Sequence, residues 1–271
     1  MAKFEGIKSS YIQKQVFSFF SETQKLNIII YNKHLQNIFG VGIEYYKKMS
    51  GKYKIGERNG KGKEYDLYTK NLIFEGEYLN GKRNGIGKEY DVNTHYLIFE
   101  GEYLNGKRNG KGEEFALDRK YFNYLIFEGE YLNGKRNGKG EEYYKNGNIK
   151  FKGEYLNGER LKGRENDCSN GKLSFEGEYL NGKRWNGRGK EFDSENRLRF
   201  KGGYLNGKRH GKGKEYDYDR KLIFVGEYLN GKRWNGKLKE YLFGSLVCEG
   251  EYLYGIQYIY KRYGCPCGYE S

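Results

Sequence analysis

Long apolar runs are missing from this 271-residue chain. The longest, Ile28 to Tyr31, is far too short to cross a bilayer, which takes about 20 residues as a helix. The opening MAKFEGIKSS lacks the apolar segment of a secretory signal. Four cysteines stand without regular spacing, so no disulfide framework is expected. These absences together read as a soluble, reduced, cytoplasmic chain. The three histidines (His34, His95, His210) lie in unrelated contexts, with no recurring acid or nucleophile at useful spacing. No catalytic constellation is visible, and the expectation is a non-enzyme with no cofactor and no metal. A single proline, Pro266, leaves the turns to 41 glycines. Aliphatic side chains are too scarce for a large two-layer core.

Aromatic residues are abundant instead, with 29 tyrosines and 16 phenylalanines. Low hydropathy alone would suggest disorder, but disordered chains are poor in rings. The balance points to an ordered, thin structure that buries rings and little else. The net charge is +14. Most charges read as solubilising and mutually paired, and the excess favours an anionic partner.

The fourteen letters FEGEYLNGKRNGKG occur at 99–112 and again at 127–140. Anchoring on the glycine of F-x-G-E-Y gives Gly51, Gly76, Gly101, Gly129, Gly153, Gly177, Gly202, Gly226 and Gly250, spaced 24 to 28 residues apart. A fixed period over nine units is a repeat array, with atypical end units as caps. Within LIFEGEY (72–78) every second residue is apolar or glycine, the period of a strand with one buried face. NGKRNG is read as the turn after it, and GKGKEY as the start of a returning strand. The expected fold is mostly β: an elongated, single-layer antiparallel β-hairpin repeat array with a small α-helical N-terminal cap. A glycine between two rings leaves room for them to lie across the backbone. Stacked units put Phe74, Phe99, Phe127, Phe151, Phe175, Phe200 and Phe224 in one column, with the strand tyrosines in a second. Tyr65, Tyr90, Phe115, Tyr143, Phe192, Tyr216 and Tyr241 of the return strands are expected to join them. Strict alternation then places Lys63 on the face of Tyr65, a conflict that a bulge at Gly60-Lys61-Gly62 would relieve. Cys248 stands in the Phe column, and aligning Gly163 with Gly187 puts Cys168 where Phe192 is, so both are expected to be buried. Leu161, Trp185 and Trp234 are extra apolar residues at the turns, read as staples onto the next loop.

The pattern F-x-G-E-Y-L-N-G-K-R-N-G-x-G, and YYKNGNIKFKGEYLNG at 143–158 above all, resembles the MORN repeat, closest to its variant form. That resemblance implies a twisted single sheet of hairpins. It further implies protein binding, scaffolding and, for some members, association with anionic phospholipid membranes, with no chemistry of its own. The departures are tyrosine where the family often has tryptophan, and loop insertions.

Three segments follow: a helical cap at 1–48, an array of about nine units at 49–255, and a tail at 256–271. Before LNIIIYNKHLQNIF, Ser21 with Gln24 makes a capping box, and Gly40 is a natural stop. VFSFFSETQKL resembles the core of an F-box, which implies docking to a ubiquitin-ligase adaptor with the repeats as substrate receptor, although the customary Leu-Pro start is missing. Cys265 and Cys267 flank Pro266 and supply only two thiols, short of the four ligands of a zinc site.

A single sheet with one aromatic face must twist into a trough, form a homodimer or hold a partner. The first reading is a protein or peptide partner along a trough of Phe99, Tyr103, Phe127, Tyr131, Phe151, Tyr155, Phe175 and Tyr179. The second is a peripheral membrane module that meets anionic phospholipid through a basic edge. That edge comprises Lys82, Arg83, Lys107, Arg108, Lys135, Arg136, Lys183, Arg184, Lys208 and Arg209. Nucleic acid is disfavoured, because rings and basic residues lie on different parts of the unit rather than interleaved.

Overall fold

The structure is a computed structural model that describes residues 9–21, 24–25, 33–40, 48, 51–117, 123–168 and 171–263. The Cys265-Pro266-Cys267 motif and LNIIIY lie outside the described residues. Among the described residues two short helices come first, α1 (Ser10–Ser18) and α2 (Lys33–Phe39). The expected capping box is present: the Ser21 N–H donates to Gln24 Oε1 at 2.9 Å, and the Gln24 N–H to Ser21 Oγ at 3.4 Å. Phe17 of α1 stacks on Phe39 of α2 with centroids 4.0 Å apart, and Gly40 follows at φ +63°.

The strands run in chain order as β1 (Lys52–Gly56), β2 (Gly60–Asp66), β3 (Leu72–Leu79), β4 (Lys82–Tyr90), β5 (Leu97–Leu104), β6 (Lys107–Leu117), β7 (Asn123–Leu132), β8 (Lys135–Tyr143) and β9 (Ile149–Leu156). They continue as β10 (Glu159–Asn166), β11 (Leu173–Leu180), β12 (Lys183–Phe192), β13 (Leu198–Leu205), β14 (Lys208–Tyr216), β15 (Leu222–Leu229), β16 (Lys232–Leu242), β17 (Ser245–Leu253) and β18 (Ile256–Arg262). The chain divides into two compact units, residues 1–108 with 117–123, and residues 109–116 with 124–271. In the first, β1 to β5 pair antiparallel in sequence order. In the second, β7 to β18 do the same. β18 lies in the stretch expected to be tail, so pairing runs past residue 255 to Arg262.

The turn is shorter than the sequence suggested. Asn80 and Gly81, at φ 53° and 74°, close β3 onto β4 as a two-residue hairpin with both residues left-handed. KRNG is therefore strand rather than turn. Tyr78 is paired with Arg83 and Gly76 with Gly87, so the return strand carries two extra residues between these pairs, and Gly85 adopts φ +78°.

Register also resolves the Lys63 conflict. Glu64 is opposite Phe74, Glu89 opposite Phe99 and Glu142 opposite Phe151. A glutamate thus occupies the ring-face slot of each return strand. The aromatic after it, Tyr65, Tyr90, Tyr143, Phe192, Tyr216 or Tyr241, falls on the other face with the lysines. The expectation that these six extend the ring columns is corrected accordingly. No bulge is needed, because Lys63 and Tyr65 do share a face, the one away from the rings.

Cys248 is buried opposite Glu240, in the slot that Phe224 fills opposite Glu215. Cys168 is exposed, which overturns its expected burial. Glu165 pairs with Phe175 and Asn166 with Leu173, as Glu191 and Phe192 pair with Phe200 and Leu198. Asn166 is therefore the counterpart of Phe192. Gly163 corresponds to Gly189, not Gly187, and Cys168 lies beyond the end of β10.

Glycine is required where two strands cross beneath a ring. Gly129 faces Gly140, and a Cβ on Gly140 would stand 2.5 Å from Phe127 Cζ. Gly140→Ala is expected to lower stability by about 1–3 kcal/mol through overpacking. Exposed Lys139→Ala should stay within about 0.5 kcal/mol. Urea unfolding of both variants checks this, and equal midpoints would remove the steric account.

Candidate binding surfaces

Phe74 shows how the ring face is built. Its ring meets Tyr78 and Tyr103 edge-on, with centroids 5.6 and 5.1 Å away. The Arg83 guanidinium lies 4.1 Å from its centroid. Arg83 donates to Glu64 from Nε at 3.3 Å and Nη2 at 2.9 Å, and to Glu89 from Nη1 at 2.6 Å. The Tyr78 hydroxyl donates to Glu64 Oε1 at 3.0 Å. One carboxylate thus holds both the tyrosine and the arginine of the next repeat. The arrangement recurs at Glu142 with Tyr155 and Arg160, at Glu191 with Tyr204 and Arg209, and at Glu215 with Tyr228 and Arg233. In the last repeat Gln257 stands in the arginine's place, donating to Glu240 and accepting from Tyr252. The Tyr103 hydroxyl departs from the pattern: it is buried near Glu89 but meets hydrogen-bond geometry with no partner among the described residues.

The eight residues expected to line a trough are therefore interior. Phe99, Phe127, Phe151 and Phe175 are 0% exposed, and Tyr103, Tyr131, Tyr155 and Tyr179 are 3–5% exposed. The ten residues of the expected basic edge divide by type. Lys82, Lys107, Lys135, Lys183 and Lys208 are exposed at the strand starts. Arg83, Arg108, Arg136, Arg184 and Arg209 turn inward over Phe74, Phe99, Phe127, Phe175 and Phe200 at 4.0–5.2 Å. Hydropathy reads arginine as a solvated charge, but its flat guanidinium covers a ring face well.

A second ladder joins successive turns. The N–H of Asn80 donates to Asn59 Oδ1 at 2.7 Å, that of Asn157 to Asn137 at 3.3 Å, and that of Asn206 to Asn186 at 3.0 Å. The asparagine of R-N-G, or of R-W-N-G at Asn186, therefore caps the next hairpin. Trp185 packs 3.8 Å from the Cβ position of Gly207, and Trp234 meets Tyr254 edge-on at 5.9 Å. Both tryptophans act as the staples expected of them, whereas Leu161 is exposed.

The opposite face carries a charge ladder of cross-strand pairs. Lys63 meets Glu75 and Lys88 meets Glu100, both at 3.1 Å. Lys152 meets Glu141 at 2.6 Å, Arg164 meets Glu176 at 2.7 Å and Lys239 meets Glu249 at 3.2 Å. Between β11 and β15 this face forms a groove of about 1080 Å³, lined by Arg188, Lys190, Lys201, Lys212, Lys214 and Tyr216 among others. Sequence reasoning missed this site. The signal for it was FKGGY (200–204) and FVGEY (224–228), two departures from FEGEY. It also missed the clamp glutamates, whose signal was the recurrent K-E-Y or E-E-Y. Among the described residues, no group of three or more His, Cys, Asp or Glu is placed to hold a metal ion.

Burial raises the pKa of Glu64, but the hydrogen bond from Arg83 and the charges of Arg83, Lys52 and Lys54 outweigh it and hold the group at about 2. Glu142 and Glu191 are lowered against the same opposing burial, chiefly by Arg160 and Arg209. A carboxyl whose folded pKa is depressed stabilises the fold above its unfolded value, near 4.5, and loses that contribution as pH falls toward 2. Melting temperature should fall between pH 5 and pH 2, and Glu64→Gln should flatten that slope while lowering stability at pH 7. Removing one member of a buried pair commonly costs about 3–5 kcal/mol. Calorimetry across this range is the check, and an unchanged slope in the variant would remove Glu64 from the acid transition.

Compared with known proteins, the chain matches the MORN repeat model at residues 50–66, 74–95, 99–115, 127–149 and 200–220. No curated protein matches it. Among solved structures, a crystal structure of TarM aligns at 11% identity and a TM-score of 0.19, covering 65% of this chain and 30% of that one. An overlap at that level carries no structural argument. The matched segments coincide with the hairpins built from F-x-G-E-Y and N-G turns, and the chain carries MORN repeats, the mark of a repeat scaffold.

Proposed function

We propose that the chain is a non-catalytic scaffold whose repeats hold a protein or peptide partner. One observation supports this reading above the others. The rings are closed over by the chain's own arginines and glutamates, whereas the face behind them stays open and presents fixed lysines, glutamates and tyrosines. In this reading the aromatic columns stiffen the array and the partner lies on the charged face. Capture of a discrete partner from cell extract, followed by titration of that purified partner in a calorimeter, is the test. Phe151→Ala, a ring truncation of a kind that costs about 3–5 kcal/mol of stability, should leave affinity within about twofold at temperatures where the variant is folded. A large affinity loss in the folded variant would return the binding site to the rings, and a chain that binds no partner would overturn the scaffold reading.

A second reading is peripheral membrane association, favoured by Lys82, Lys107, Lys135, Lys183, Lys208 and Lys232 being exposed at equivalent strand starts. Each lysine near an anionic leaflet contributes about 1 kcal/mol. Sedimentation with phosphatidylserine vesicles should then show binding at low salt that is lost toward 1 M, where the screening length shrinks to about 3 Å. No binding at low salt ends this reading.

A further inference from the structure

On the charged face most cross-strand neighbours have opposite sign. Between β12 and β15 only Lys212 and Glu227 do. Lys201 replaces the glutamate of FEGEY, Gly203 replaces the second glutamate, and Val225 replaces the first glutamate of the next repeat. Register then sets Lys190 directly opposite Lys201, and Lys201 directly opposite Lys214. Like charges facing each other across strands repel rather than bind. Arg188 faces Gly203, and Lys212 faces Glu227. Among the described residues, none of these five cations makes an ion pair or a side-chain hydrogen bond. The groove holds two carboxylates, Glu176 and Glu227, and Glu176 is already taken by Arg164 at 2.7 Å. Leu173, Tyr216 and Val225 supply apolar walls, and glycine backbone forms much of the remaining lining.

We infer that this groove is the docking site for an acidic segment of the partner protein, one that interleaves Asp or Glu with apolar residues; this rests on the scaffold reading above. Charge complementarity selects an anion. The apolar walls select one that carries side chains, in preference to bare phosphate, and a groove admits a strand where a flat bilayer cannot enter. An extended segment with carboxylates on alternate residues carries them about 7 Å apart on one side, within reach of lysine arms rising from neighbouring strands.

The decisive substitution is Lys201→Glu. It restores the residue that Glu75, Glu100, Glu128 and Glu176 represent in sibling repeats, and it relieves two like-charge contacts. The fold should be unharmed or more stable, while binding is lost. The probe is a labelled (Glu-Leu)4 peptide followed by fluorescence anisotropy, with (Gln-Leu)4 and inorganic tripolyphosphate as comparators. Expected results are binding of (Glu-Leu)4 but not (Gln-Leu)4, at least tenfold loss in Lys201→Glu with an equal or higher melting temperature, and less than twofold change in Lys14→Glu, at an exposed lysine of α1. Equal losses in the two variants would reduce the effect to net charge and overturn the site. Tripolyphosphate binding that depends on Lys201, without peptide binding, would assign the groove to phosphate and overturn the proposal. A captured partner that binds wild type and Lys201→Glu alike removes the groove and leaves the scaffold reading standing. The absence of any partner for wild type ends both.

Discussion

Everything in the array depends on a carboxylate that belongs to one repeat and serves the next. Glu64, Glu142, Glu191 and Glu215 each accept from a tyrosine hydroxyl and an arginine supplied by the following hairpin. A desolvated ion pair is favourable only when its remaining hydrogen-bonding capacity is met. Here the phenol and the forked guanidinium meet it together. The same guanidinium then lies flat on a phenylalanine, as Arg83 does on Phe74 at 4.1 Å. A one-layer sheet has no second layer to cover its rings, and the arginine plane takes that place. The hydrophobic and ionic parts of the core are thus one assembly, which is why Phe74, Phe99 and Phe127 are fully enclosed in so thin a structure.

Repeat period, strand alternation and Asn-Gly hairpins were legible in the sequence, because side-chain parity and left-handed turns each have a residue signature. Facing was not. Tyr65 looked like a ring-face residue by hydropathy, yet in the sibling repeat Tyr90 donates its hydroxyl to Glu75 on the charged face at 2.7 Å. A tyrosine fits either face when its hydroxyl has a partner. The KRNG segment looked like a turn because it is polar and contains glycine. The true turn is only the preceding Asn-Gly pair, and Gly85 belongs to an irregularity within the strand pairing. The misplacement of Cys168 has the same origin. The segment ERLKGREN retains one glycine where most of its siblings have two, so an alignment on the first lands two residues out.

The two faces divide their charges differently. On the ring face arginine is consumed by structure. On the other, lysine and glutamate pair loosely across strands at 2.6–3.2 Å, with both partners partly open to water. Such exposed pairs contribute about 0–1 kcal/mol each. The array therefore tolerates their loss, and a stretch such as 187–227 can depart from the alternation without harm to the fold. A face whose charges carry little of the stability is free to differ from repeat to repeat.

The glutamate clamp reaches one repeat ahead and no further, which makes the repeat interchangeable as a length unit. Excising residues 153–176 would join the sequence at equivalent glycines and leave Glu142 facing Tyr179 and Arg184 where Tyr155 and Arg160 had been. The capping asparagine Asn137 would meet the turn at Asn181 in place of Asn157. Removing half a repeat would strand a carboxylate on the ring face with no cation to receive it. The whole hairpin pair is therefore the unit of this array, because the clamp and the turn cap both recur at that interval.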